Sequence, residues 1–224
     1  MPIAGVTPHL LVDQAIDAMR GLLGSGEWSV GTRIPPEPVL AEQFGVSRNT
    51  VREAVRALSH SGVLEVRRGD GTYVVSANEV AGVMRRHLAR ADLGHVFEVR
   101  HAIETSAAEL AAERRTKQDL ARLAQALTAR STALAAGDAE AFVTADVEFH
   151  VGVVTAARNP LLSELYDGFV ATLRDSIELP SGEAAGSCAD HDRLYDALAA
   201  QDGAAAREAT GGLLRRSEDE ASGA

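Results

Sequence analysis

Phe44-Gly45-Val46-Ser47-Arg48-Asn49-Thr50-Val51-Arg52-Glu53-Ala54-Val55-Arg56-Ala57-Leu58 is the stretch that decides the fold of the first part of this chain. Gly45 accepts the left-handed backbone that ends a helix, so the short apolar-polar run 37–44 before it reads as a helix stopped there. Ser47 carries a side-chain oxygen that can take up an otherwise unpaired amide, which makes it an N-cap. From Arg48 to about His60, Val51, Ala54, Val55 and Leu58 recur at helical spacing and form one apolar stripe. Two short helices joined at Gly45-Val46 are a helix-turn-helix.

The chain on either side supports this reading. Upstream, Leu11, Ala15, Ile16, Met19, Leu22 and Leu23 predict a helix over 8–23, and Pro35-Pro36 make 28–36 an extended or turning connection. Downstream the period changes. Val63-Leu64-Glu65-Val66-Arg67 and Thr72-Tyr73-Val74-Val75 are β-rich runs around Arg68-Gly69-Asp70-Gly71, which predicts a hairpin, the "wing" of a winged helix-turn-helix.

Beyond Ser76 the strand signals cease. Helices are expected over 78–91, 94–114, 117–136, 139–157, 160–178, 188–200 and 203–217. Asn78, Asp92, Thr116, Asp138, Asn159 and Asp202 stand where N-caps belong, and 181–186 reads as a loose loop. Short connections imply an antiparallel helical bundle. The expected architecture is mainly α: a winged helix-turn-helix over 1–76, then an all-α bundle over 77–224.

Bulk properties exclude some classes. No apolar run approaches the ~18 residues that cross a bilayer, and the first residues lack the basic-then-apolar order of a secretory signal. A single cysteine, Cys188, suits a cytoplasmic protein. The net charge of −10 argues at first against a nucleic-acid partner. Residues 1–75, however, carry seven Arg and eight acidic residues, so the excess acidity lies in the second part. Five of those Arg (Arg48, Arg52, Arg56, Arg67, Arg68) fall within 48–68, and a local basic stripe is what DNA requires.

Arg48, Asn49 and Arg52 lie outside the apolar stripe and face solvent. At the start of such a helix, Arg can take guanine and Asn adenine in the major groove. Ser47 and Thr50 suit phosphates, and Arg67, Arg68 and the Gly69 backbone at the wing tip suit the adjacent backbone or minor groove. A merely solvated charged face is the competing reading of the helix alone; the turn before it and the wing after it weigh against that. In the second part, Asp146 and His150 stand four apart on one helix face. Such a pair is either an ordinary hydrogen-bonded pair or part of a divalent-metal site for Zn, Ni or Mn, with His191 closing from a later helix. Arg100 suits a carboxylate by its planar fork, or else forms an intrahelical ion pair with Glu104.

The run Pro35-Pro36-Glu37-Pro38-Val39-Leu40-Ala41-Glu42-Gln43-Phe44 with its continuation to Ala54, and the wing 68–74, resemble the DNA-binding signature of GntR-family repressors. Pro38 departs from it, since relatives often carry a phosphate-contacting basic residue there. Phe97–Glu104, Asp146-Val147-Glu148-Phe149-His150, Asn159-Pro160-Leu161-Leu162 and Asp190–Leu194 resemble the all-helical FCD effector domain of the FadR subfamily. The resemblance implies a homodimer on a roughly palindromic double-stranded operator, a small carboxylic-acid effector near Arg100, and metal ligation by Asp146, His150 and His191. It also implies a fourth ligand, a histidine, at the position of Leu213, which cannot supply one. The expected function is a ligand-responsive transcriptional regulator, a repressor and not an enzyme. A metal-dependent hydrolase at Asp146/His150/His191 and an architectural DNA-coating protein are the alternatives.

Overall fold

The computed structural model describes residues 8–88, 90–170, 174 and 185–222. The chain divides into two compact units, Met1–Arg86 and His87–Ala224.

In the first unit, helix α1 (Pro8–Gly24) lies along α3 (Arg48–His60), and α2 (Glu37–Phe44) also packs on α3. Ala15, Met19, Leu40, Val51, Ala54, Val55 and Leu58 meet in one core with Trp28, Ile34, Leu64 and Val74. Both ends of the turn are built as the residues dictate. Gly45 adopts φ +66°, and Ser47 accepts the Thr50 amide at 3.1 Å. Pro38 falls in the first turn of α2, where a missing amide costs nothing.

The wing is antiparallel strands β1 (Leu64–Arg67) and β2 (Gly71–Val74), with Leu64 opposite Val74 and Arg67 opposite Gly71. The first strand begins one residue later than the expected run 63–67, and the second lies one residue earlier than the expected run 72–75. The segment expected only as an extended connection does more. Gly31 and Ile34 donate to Val74 and Thr72, and Val74 donates to Thr32, so 31–34 pairs with the free edge of β2. Helix α4 (Glu79–Leu88) follows the wing, with Asn78 accepting the Ala81 amide at 2.8 Å.

The second unit is helical: α5 (Leu93–Arg114), α6 (Lys117–Ala136), α7 (Ala139–Ala156), α8 (Pro160–Asp167), α9 (Ala185–Ala200) and α10 (Gly203–Ser222). The cap residues explain why these helices begin where they do. Asp92, Thr116, Asp138, Asn159 and Asp202 each accept an amide of the first turn. Helix α6 lies along α7, α5 along α7 and α10, and α9 along α10. Ala107, Ala108, Ala111 and Ala112 of α5 are fully buried among Leu123, Val147, Phe149, Val153, Tyr166, Leu194 and Leu198. The helix expected over 160–178 is interrupted after Asp167 by a turn at Gly168-Phe169. Most of its second half, and most of the 181–186 loop, lie outside the described residues. Ala185 and Gly186 of that loop are already helical.

Candidate functional site

Two sets of polar side chains stand out, one in each unit. On α3, the apolar stripe is buried and the opposite face is exposed, including Arg48, Asn49, Arg52 and Arg56. Ser47 is committed as N-cap, and its hydroxyl also lies 2.9 Å from that of Thr50. Arg52 donates through Nε to Glu37 of α2 at 3.2 Å. Glu37 thus holds Arg52 in place, a partnership that no helical period signals because fifteen residues separate the two. At the wing, Arg67 donates to Glu65 at 3.0 Å and lies over the Tyr73 ring at 4.1 Å. Arg68 and Gly69 are exposed at the tip, where Gly69 takes φ +77°.

The second set lies inside the helical unit. Arg100 and Glu104 of α5, Arg130 of α6, Asp146 and His150 of α7, Tyr166 of α8 and His191 of α9 are all buried. Glu104 accepts from Arg100 Nε at 3.0 Å, from the Tyr166 hydroxyl at 2.9 Å, and faces His150 Nδ1 at 2.7 Å. Burial alone would push the Glu104 carboxyl up. The charges and hydrogen bonds of Arg100 and His150 outweigh it and set the value at about 2. An ionised carboxylate only accepts, so His150 carries its proton on Nδ1 and turns Nε2 toward Asp146 Oδ2, 3.5 Å away. His191 Nε2 lies 3.2 Å from Asp146 Oδ1. Burial opposes ionisation of Asp146 too, but His191, His150 and Arg130 hold its carboxyl well below the usual range. Burial in turn lowers His191 below an ordinary histidine, against the pull of Asp146.

The three expected metal ligands therefore converge, with one donor atom of each within 4.8 Å of the others. Two donors each about 2.0–2.1 Å from a tetrahedral ion stand roughly 3.3 Å apart, close to the separations of the two imidazoles from the Asp146 carboxylate, 3.5 and 3.2 Å. The Glu104 contact behind His150 is the kind that orients a ligating imidazole. The donor set fits a divalent ion in type and spacing. Leu213 is buried and brings no fourth donor. Arg100 realises the ion pair with Glu104 that competed with effector binding in the sequence reading. Arg130, like Tyr166, is a participant that the sequence reading missed. Its Nε donates to Asp146 Oδ1 at 2.5 Å, and its guanidinium lies 4.5 Å from the Phe142 ring centre.

A winged helix-turn-helix joined to an all-helical unit is the architecture of a class, the DNA-binding transcription regulators. The family model "Bacterial regulatory proteins, gntR family" matches residues 11–74, and the model "FCD domain" matches 95–216. The chain is 33% identical to the HTH-type transcriptional regulator LutR of Bacillus subtilis (strain 168), over 90% of this chain and 97% of that one. It is 31% identical to the galactonate operon transcriptional repressor of Escherichia coli (strain K12), over 82% of this chain and 85% of that one. Among solved structures, Streptococcus agalactiae GntR superposes with a TM-score of 0.63 at 28% identity, covering 93% of this chain and 99% of that one. The chain belongs to the gntR family of bacterial regulatory proteins and carries an FCD domain. It is a transcriptional regulator and not an enzyme, which overturns the hydrolase alternative. Glu104, the carboxylate nearest His150, is spent on three partners and is not available as a general base. Among the described residues no helix is long and apolar enough to cross a membrane.

Proposed function

We propose that this chain is a repressor that reads a roughly palindromic operator as a homodimer, through a DNA-reading module within 1–76. Arg48, Asn49 and Arg52 contact base edges. Ser47, Thr50, Arg67, Arg68 and Gly69 contact the sugar-phosphate backbone and the groove beside the wing. The observation that carries this reading is the exposed Arg48/Asn49/Arg52 face of α3 opposite its fully buried stripe.

The helical module, within 77–224, is proposed to take a small carboxylic acid that favours one of two arrangements of the dimer and so shifts operator affinity. Arg100 supplies positive charge in the cluster, with Glu104 fixing its orientation. Asp146, His150 and His191 would hold a divalent ion such as Zn²⁺, Ni²⁺ or Mn²⁺. When bound, that ion supplies a Lewis-acidic anchor for a carboxylate. The relative named for the galactonate operon supports an acid of this class, since galactonate is a hydroxycarboxylate.

The test is a gel shift with operator DNA from the region upstream of the chain's own gene. Arg48→Ala and Arg52→Ala are each expected to lose operator binding while the protein stays folded. Wild-type affinity in both variants overturns the assignment of α3 as the reading helix.

A further inference from the structure

The cluster in the helical unit contains its own cation at the metal ligands. Asp146 is the single carboxylate of the Asp146/His150/His191 set, and one of its two oxygens already accepts from Arg130. This guanidinium is no surface group that happened to fold over. Arg130 is 3% exposed and comes from the α6 face that packs on α7. Phe142 and Asp146, four residues apart on α7, hold it between an aromatic face and a carboxylate. His150 continues the same face of α7 by four more residues, so the groups that face the cation and two of the candidate ligands share one row.

Charge balance gives this arrangement a consequence. Among the described residues, the buried cluster contains two carboxylates, Glu104 and Asp146, and two guanidiniums, Arg100 and Arg130. Each carboxylate already faces a guanidinium, Glu104 that of Arg100 and Asp146 that of Arg130. A divalent ion entering at Asp146 adds two positive charges beside a guanidinium that cannot lose its proton. In a buried setting such like-charge repulsion is weakly screened.

We propose that Arg130 is the resident cation of this site, balancing Asp146 in the metal-free protein and opposing a divalent ion there. It rests on the metal reading above only for the location of the ion. The site is then assembled without metal, and an ion added alone is held weakly.

The test uses the full-length chain stripped with chelator, as wild type and Arg130→Met, with Mn²⁺ and Zn²⁺ each added alone. Chelator is expected to leave the wild-type Tm unchanged, while metal-free Arg130→Met melts lower by roughly 5 °C or more, the scale of a buried pair broken on one side. Calorimetric titration is expected to show at least tenfold tighter metal binding in Arg130→Met, with the gain removed by adding His150→Ala. Arg130→Gln keeps a donor for Asp146 without the charge. It is expected to show the same gain, and it replaces the methionine variant should that fail to fold. Equal metal affinity with and without Arg130 overturns the inference and leaves the metal reading standing. Binding by neither chain overturns both. A wild-type Tm that falls on chelation as far as that of the variant also overturns the inference, because the metal would then be the balancing cation.

Discussion

Glu104 accepts from a guanidinium and a phenol and faces an imidazole nitrogen, and every one of these groups is buried. No single removal there is neutral, because each partner left behind keeps its desolvation cost. Glu104→Gln leaves Arg100 buried opposite a neutral amide, and a loss of about 3–5 kcal/mol is expected in urea unfolding of the helical unit. Asp119 is a different carboxylate. It closes a capping box with Thr116 at the start of α6 and accepts from Arg158 at 2.5 Å. Arg158 reaches it from a left-handed backbone, φ 52°, at the α7–α8 turn. Burial works against ionisation of Asp119, but the Thr116 amide and hydroxyl and Arg158 together lower its carboxyl below the ordinary value. A lowered carboxyl stabilises the fold above the unfolded value of about 3.9 and loses that contribution as pH falls through the folded value. Asp119→Asn is therefore expected to cost about 1 kcal/mol at neutral pH. The gap from wild type should close below roughly pH 4, read from urea midpoints across a pH series. Arg158 is half exposed, so most of the effect belongs to the cap.

At the scale of elements, α4 is seated on the end of α3 by two glycines. Gly62 follows α3 with φ +83°, and a Cβ on Gly82 would stand 2.7 Å from the Gly62 carbonyl and from the Ser61 oxygen. Backbone atoms cannot yield as a side-chain tip can. Gly82→Ala is expected to lift α4 and destabilise the first unit by about 1–3 kcal/mol. A lower Tm and faster proteolysis around 77–90 would be its signature. Gly21→Ala at an exposed position of α1, where the added carbon meets nothing, is the control and should hold or raise the Tm. Helices α2, α3 and α6 were legible to the residue because Gly45, Ser47, Thr116 and Gly137 are local signals, carried within a turn of the ends they set. What was not legible depends on distance along the chain. The pairing of 31–34 with β2 joins segments about forty residues apart, and the turn at Gly168-Phe169 lies inside a run whose composition continues a helix. Asp146 and His150 could be singled out by their four-residue spacing. Arg130 could not, since Gln125-Ala126-Leu127-Thr128-Ala129-Arg130 reads as any amphipathic helix. Its meaning appears only when α6 folds back on α7 and Asp146 arrives sixteen residues later.

Across the whole molecule, nearly all of the net charge of −10 lies outside the first 75 residues, which hold seven Arg against eight acidic groups. An acidic bulk repels DNA at long range, whereas the Arg48–Arg68 stripe attracts it only at contact distance, within about a Debye length at physiological salt. Sequence-independent binding should therefore be weak, and operator binding should depend on the few side chains that reach the duplex. Those side chains separate by role. Arg68 at the wing tip is exposed and, in its proposed role as a phosphate or groove contact, would release counterions on binding. Arg68→Ala should weaken operator and unrelated DNA by similar factors and make the slope of log K against log salt shallower by about one. Arg48, if it reads a base, carries discrimination instead. Arg48→Ala should weaken the operator complex by about 1–3 kcal/mol more than the complex with unrelated DNA. Fluorescence anisotropy with both DNAs between about 50 and 200 mM salt measures all four quantities on the full-length protein. Equal losses on both DNAs for Arg48→Ala would make it a backbone contact and move sequence reading to Asn49 and Arg52. In that case Glu37, which holds Arg52 at 3.2 Å, becomes the residue that aims it, and Glu37→Gln should then lower discrimination without changing the salt slope.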